Sequence, residues 1–136
     1  MGTKADFYVG RGTTAEWLGS VAYDGYPFGF DAKFFAPGKT AEEWRAAVLR
    51  EVTGRKDGTL PEQGWPWPWG DSRTTDYAYA WDDGVIWCSC FGTAWYRYGI
   101  DNEPDGEQKV AVFPDMTKVQ SVTYGPRSGI LLFGSE

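Results

Sequence analysis

The sequence predicts an α+β fold: a curved, mainly antiparallel sheet of about seven or eight strands with one helix packed on it. Three observations predict it. Aromatic residues fill 18% of the 136 positions and glycine adds 18 residues, a composition that favours strands joined by tight turns. One segment alone repeats apolar residues at helical spacing. Another alternates strictly on both sides of an Asp-Gly pair, the pattern of a hairpin. No repeat or linker divides the chain, so residues 1–136 read as a single domain of ordinary size.

The elements follow in order. Residues 5–10 read as a first strand, and Arg11-Gly12-Thr13-Thr14 as a turn. Residues 16–23 carry a second strand with Trp17, Val21 and Tyr23 on one face. Asp24-Gly25-Tyr26-Pro27 is a turn, and Phe28 to Phe35 reads as a third extended segment ended by Pro37-Gly38. The helix spans 41–53. Thr40 is its N-cap, Glu43 completes a capping box, and Trp44, Ala47, Val48 and Val52 form the apolar stripe. Gly54 is placed to end it in the left-handed conformation. Residues 55–73, with Pro61, Pro66 and Pro68, read as irregular.

The hairpin pairs residues 77–81 with 85–91 around Asp83-Gly84. Its register sets Trp81 against Ile86, Tyr79 against Cys88, Tyr77 against Cys90 and the small Ala80 against Trp87. Trp95–Ile100 and Lys109–Phe113 read as a further pair joined by an acidic loop. Val119–Tyr124 and Ile130–Phe133 read as a last hairpin. An edge at Ile130–Phe133 would be a seam for a homodimer.

Charge and composition exclude several functions. Lys plus Arg is 13 against 19 Asp plus Glu, a net charge of −6, which is ill suited to neutralising phosphates, so direct nucleic-acid binding is not expected. Arg45, Arg50, Arg55 and Lys56 interleave with Glu42, Glu43 and Glu51 as on a solvated helix face. No apolar run is long enough to cross a membrane and the N-terminal residues lack a signal-peptide pattern, so a cytoplasmic location is expected. Cys88 and Cys90, the only cysteines, point to one face of a strand, poor geometry for a mutual disulfide. Two thiols and no His do not complete a zinc site, so no metal and no cofactor are expected.

Enzyme chemistry finds little support. Without His the commonest general base is missing, and with it the Ser-His and Cys-His pairs. A carboxylate pair such as Glu16 with Asp76 is conceivable, but among 19 acids some such pair is inevitable. No catalytic residue is assigned. Arg11, in a glycine-flanked turn, reads as an exposed hairpin arginine or an anion nest.

Two features carry the binding readings. In Gly64-Trp65-Pro66-Trp67-Pro68-Trp69-Gly70 the prolines hold the backbone extended and remove alternate donors. Such a rod either presents its indoles to a sugar, a base or a protein partner, or folds back to plug the open end of the sheet. The acidic loop contributes Asp101, Glu103, Asp105 and Glu107, and a separate turn contributes Asp82 and Asp83. Pro104 interrupts the spacing a calcium loop requires. The acids read as solubilising turns or as a patch that steers association with a basic surface.

Residues 5–12 (Ala-Asp-Phe-Tyr-Val-Gly-Arg-Gly), 16–20 (Glu-Trp-Leu-Gly-Ser) and 23–27 (Tyr-Asp-Gly-Tyr-Pro), with the Trp-Pro segment, resemble small uncharacterised proteins of phages and integrated mobile elements. The resemblance implies a setting, and it implies no catalytic or binding residue. In that setting a compact acidic chain looks like an inhibitor of host defence, such as an anti-CRISPR protein. The expectation is a small acidic non-enzymatic binding protein that blocks a host protein or ribonucleoprotein complex. Asp82, Asp83, Asp101, Glu103, Asp105 and Glu107 would steer, and Trp67 and Trp69 would anchor. The alternatives are a carbohydrate-binding module or small glycan-acting enzyme, supported by the aromatic content, and a virion structural or assembly protein.

Overall fold

Two hairpins lie side by side in one open sheet. Strands β1 (Ala5–Val9) and β2 (Glu16–Val21) form the first hairpin, and β3 (Gly58–Thr59) borders β2. Strands β4 (Tyr77–Asp82) and β5 (Val85–Cys90) form the second, bordered by β6 (Tyr96–Arg97). The order is β3-β2-β1-β4-β5-β6, six strands among the described residues rather than seven or eight. All pairs are antiparallel except β1 with β4, where the hairpins meet in parallel. The computed structural model describes residues 2–104 and 110–119.

The second hairpin has the register read from the sequence. Tyr77 faces Cys90, Tyr79 faces Cys88, Ala80 faces Trp87 and Trp81 faces Ile86. Asp83 and Gly84 both take positive φ, 54° and 81°, the two-residue turn that matches strand twist. Cys88 and Cys90 lie on the same face, and neither is in a disulfide.

The helix α1 (Ala41–Thr53) forms with both halves of its capping box, Glu43 N–H to Thr40 Oγ1 and Thr40 N–H to Glu43 Oε1. Trp44, Ala47, Val48 and Val52 are buried against the sheet. Gly54 does not end it in the left-handed conformation; its φ of −80° is right-handed, and the chain leaves through a tight turn from Arg55 N–H to the Val52 carbonyl. The glycine that matters is Gly58, where a Cβ would stand 2.3 Å from the Val52 carbonyl oxygen.

Other expectations are corrected. Phe28–Phe35 is not extended. Pro27 opens one 3-10 turn and Asp31 caps a second over Ala32–Phe35. Pleated alternation would hold Phe30 and Phe34 roughly 13 Å apart on one face and send Phe35 to the other; the turns instead stack Phe30 on Phe34 at 5.1 Å and bury all three on the helix side. Trp17, Val21 and Tyr23 do not share a face. The β1–β2 register slips between Phe7 and Tyr8, so Tyr8 faces Trp17 and Leu18 is extra. Trp17 then packs on one face and Val21 on the other, while Tyr23 lies beyond the strand, exposed. The bulge needs Gly19. Its φ is +146°, and a Cβ there would stand 2.9 Å from the Thr59 carbonyl oxygen. The Trp44 indole donates to the Tyr8 carbonyl at this irregularity, 2.9 Å away.

Only Tyr96–Arg97 of the segment 95–100 is a strand, and it pairs with β5 rather than with 109–113. Residues 110–116 run without strand pairing, held by Ala111 N–H on the Gly92 carbonyl. The proposed last hairpin and dimer seam lie outside the described residues, as do Asp105, Glu107 and Lys109. No helix of the described residues is long and apolar enough to cross a membrane.

Candidate functional site

The sheet has two covered faces. One carries α1 and the Phe30–Phe35 turns. The other gathers Trp17, Trp65, Trp67, Trp69 and Trp95, five of the eight tryptophans, around Tyr8, Ala78, Ala80, Phe113 and Met116. Trp87 joins that face, because it stands opposite Ala80. Alanines at 78 and 80 leave the room these rings occupy.

The Trp-Pro segment lies back along this face. Trp65 is buried, edge-on to Trp17 at 5.1 Å. Trp67 and Trp69 are half-buried and stack with centroids 5.7 Å apart and planes 18° from parallel. All three indole N–H groups point inward. Trp65 donates to the Trp69 carbonyl at 2.6 Å, Trp67 to Asp6 Oδ1 at 2.7 Å and Trp69 to Thr75 Oγ1 at 2.8 Å. What Trp67 and Trp69 turn toward solvent is therefore carbon, with the Lys4 ammonium 5.7 Å from the Trp67 centroid. The segment is both plug and platform: Trp65 fills the face, and the next two rings form its outer layer.

Beneath the rings lies Asp6, fully buried. Strand alternation sends Ala5, Phe7 and Val9 to the helix side and Asp6 and Tyr8 to the indole side. Ser20 donates to Asp6 Oδ1 at 2.5 Å and Ser72 to Oδ2 at 2.6 Å. The Ser72 proton is thereby committed, so the Tyr8 hydroxyl, 2.5 Å from Ser72 Oγ, is the donor in that pair. Trp17 donates in turn to Ser20 Oγ at 3.0 Å. The hydroxyl chain leads to one carboxylate, while the Trp17 indole N–H is shared with the Gly19 carbonyl, also at 3.0 Å. Burial raises the Asp6 pKa above the ordinary carboxylate value, and the bonds from Ser20, Ser72, Trp67 and Thr75 offset only part of that rise. Burial, together with the Asp6 charge, raises the Tyr8 phenol well above its ordinary value. The network fixes the floor of the platform; it offers no exposed polar atom for chemistry.

Four of the predicted acids, Asp82, Asp83, Asp101 and Glu103, are described. Because Val9 pairs in parallel with Trp81, the β1–β2 and β4–β5 turns share one end of the sheet. There Asp82 accepts from Arg11 Nε at 2.9 Å, and the Arg11 guanidinium stacks 3.6 Å from the Trp87 centroid. Arg11 is thus an ion-paired hairpin arginine. Asp101 is held by Arg97 at 2.8 Å; that hydrogen bond is the main reason its carboxyl sits below the ordinary value. Asp83 and Glu103 are exposed. Asp6, under Trp67, pairs with Ala78, four residues up β4 from Asp82, or roughly 13 Å at strand rise. Asp82 and the anchor Trp67 therefore stand apart on the sheet. Glu16 and Asp76 are not a pair: Glu16 binds Arg45 at 2.8 Å beside the end of β1, and Asp76 accepts the Lys4 N–H at 2.9 Å near its start.

Among the described residues no three His, Cys, Asp or Glu side chains converge as metal ligands do. Shallow grooves of about 410 and 430 Å³ beside α1 mix Lys33, Lys39 and Arg50 with Asp31, Glu43 and Glu51, without one dominant charge. Sequence reasoning named Trp67 and Trp69 but missed Asp6, Ser20 and Ser72. The available signal was an aspartate inside an otherwise apolar strand, Ala5-Asp6-Phe7-Tyr8-Val9.

Fold and site together define an α+β protein with one open, mostly antiparallel sheet and an indole-covered face. No protein-family model, curated protein or solved structure matches the chain.

Proposed function

We propose that this is a non-enzymatic binding protein that docks on a partner protein through Trp67 and Trp69, and that the partner is a nucleic-acid-handling host defence complex, the anti-CRISPR-like reading. One observation carries the docking part: two stacked, half-exposed indoles have their N–H groups tied down inside the protein. A ring pair so held loses little freedom on binding and presents apolar area, as interface anchors do. Sugar sites also stack on indoles, but they require polar partners at the ring edge, and here those edges bond inward. The electrostatic part rests on fewer groups than the sequence suggested. Of the predicted acids that the structure describes, Asp82 and Asp101 are ion-paired, and Asp83 and Glu103 are the exposed ones left to steer.

The test is capture of partners from a bacterial host lysate by tagged wild-type, Trp69→Ala and Asp83→Lys/Glu103→Lys chains at low and high salt. Enrichment of a defence complex by wild type, strongly reduced by Trp69→Ala and reduced at low salt by the charge variant, supports the reading. A complex captured equally by all three chains overturns it. A clean lane with glycan-dependent quenching of tryptophan fluorescence moves the assignment to a carbohydrate-binding module.

A further inference from the structure

The loop after β2 holds an aromatic side chain out into solvent on a fixed backbone. Phe28 is 90% exposed, with Tyr23 at 58% and Tyr26 at 38% beside it in sequence. The backbone beneath is pinned on every side. Gly25 N–H bonds the Thr3 carbonyl at 2.9 Å, and the buried Tyr79 hydroxyl donates to the Gly25 carbonyl at 2.6 Å. Gly29 N–H closes the turn on the Tyr26 carbonyl at 2.8 Å, and Tyr23 N–H donates to Asp57 Oδ2 at 2.7 Å. Phe30, two residues on, is locked edge-on to Phe7 at 5.8 Å. Close packing leaves no slack: a Cβ at Gly29 would stand 2.1 Å from the Asp24 carbonyl oxygen. The chain thus buries Phe30, Phe34 and Phe35 and leaves Phe28 outside, although all four lie within eight residues.

We propose that Phe28 is a preformed knob that enters an apolar pocket with a cationic rim on a partner protein, a second contact separate from the indole face. A single convex ring on a rigid turn fits a concave pocket, and pre-ordering removes much of the entropy loss of docking. The charge beside it selects the rim. Asp24 packs against Gly29 and accepts from the Tyr26 hydroxyl at 3.3 Å, and Asp31 follows the turn. Arg55, whose guanidinium lies 5.7 Å from the Phe30 centroid and bonds the Tyr23 carbonyl, is itself matched by Glu51 and Asp57, and Lys33 is the cation nearest Asp31 in sequence. Carboxylates next to the ring oppose insertion into an anionic bilayer, as does the net charge of −6. A two-fold contact of the loop with itself would bring like charges together. The turn that carries the knob packs through Phe30 on the helix side of the sheet, whereas Trp67 and Trp69 pack on the other face, so its failure and that of the indole reading are separable.

The test places a photo-crosslinking benzoylphenylalanine at Phe28 and irradiates the chain in bacterial lysate at low and high salt. Unlabelled wild type, Phe28→Ala, Asp24→Asn and Trp69→Ala chains serve as competitors. The expected result is a discrete heteromeric adduct, weaker at high salt and suppressed by wild type. Phe28→Ala should compete at least roughly tenfold less well, a loss typical of an anchor. Asp24→Asn should fall between them. Phe28→Ala should melt with wild type, since the ring it removes is exposed. No wild-type-suppressible adduct, an adduct of twice the chain mass, or Phe28-dependent sedimentation with phosphatidylcholine–phosphatidylserine vesicles each overturns the proposal. Loss of competition by Trp69→Ala alone, with Phe28→Ala fully competent, retains the indole face and overturns the knob.

Discussion

The Trp67 indole N–H and the Asp6 carboxylate, 61 residues apart in sequence, meet at 2.7 Å beneath the indole face. This bond ties the Trp-Pro segment to β1, and it sets the first prediction. Trp67→Phe keeps an apolar ring but removes the donor, leaving a buried acceptor one bond short. A loss of about 1–3 kcal/mol is expected. Urea titration followed by circular dichroism measures it. An unchanged midpoint would mean that the platform is held by packing alone.

Asp6→Asn tests the same network from below. The amide brings its own donor into a site where every neighbour already donates, so about 1–3 kcal/mol should be lost. The pH dependence has a definite sign. Asp6 has a raised pKa in the folded state, so its titration contributes stability that is present below the ordinary carboxylate value and is lost as pH rises through the raised one. Asn cannot titrate. The gap between wild type and variant should therefore be wider at pH 3.5 than at pH 7. Paired urea titrations at the two values read it, and a gap that narrows in acid would show that the donors outweigh burial.

Gly19→Ala should be costly and Gly12→Ala much less so. Both glycines have positive φ, but a Cβ at Gly19 meets the Thr59 carbonyl oxygen and the Val52 side chain, while Gly12 has nothing within 4 Å. Backbone strain alone accounts for about 1–3 kcal/mol, and the steric contact at Gly19 adds to it. Thermal melts of the two variants side by side decide the point. Equal losses would mean that the bulge relaxes to accept a side chain.

Burial pushes the Cys88 thiol up to about 12, more than its hydrogen bond with Tyr96 lowers it. Almost no thiolate then exists at pH 8, and the thiol is shielded as well. Native protein treated with iodoacetamide at that pH should leave Cys88 unmodified for hours, and denatured protein should react at once. Peptide mapping distinguishes it from Cys90.

The helix and the second hairpin were legible because their signals are local. Thr40 and Glu43 cap each other across one turn, and Asp83-Gly84 sets a register that alternation on both arms then repeats. The bulge was not legible, since Gly19 is required by Thr59, a residue far along the chain. The parallel pairing of β1 with β4 was equally hidden, because pattern shows that a strand is apolar on both faces but not which strand lies beside it. The same limit governed the site. Trp67 and Trp69 stand out by composition, whereas Asp6 acquires its meaning only when Ser20 and Ser72 are folded over it.

The parallel seam also orders the route to the native state. Each hairpin has its partners close in sequence, so each can close on the microsecond scale of local structure. Joining Ala5 to Tyr77 instead closes a loop spanning the helix and the whole Trp-Pro segment, and its entropy must be met before the seam yields any contact. That raises the contact order above what two hairpins alone would have. Docking of the two hairpins is then the step expected to limit folding, and until they meet, the indoles that later lie over Asp6 have no complete face to cover.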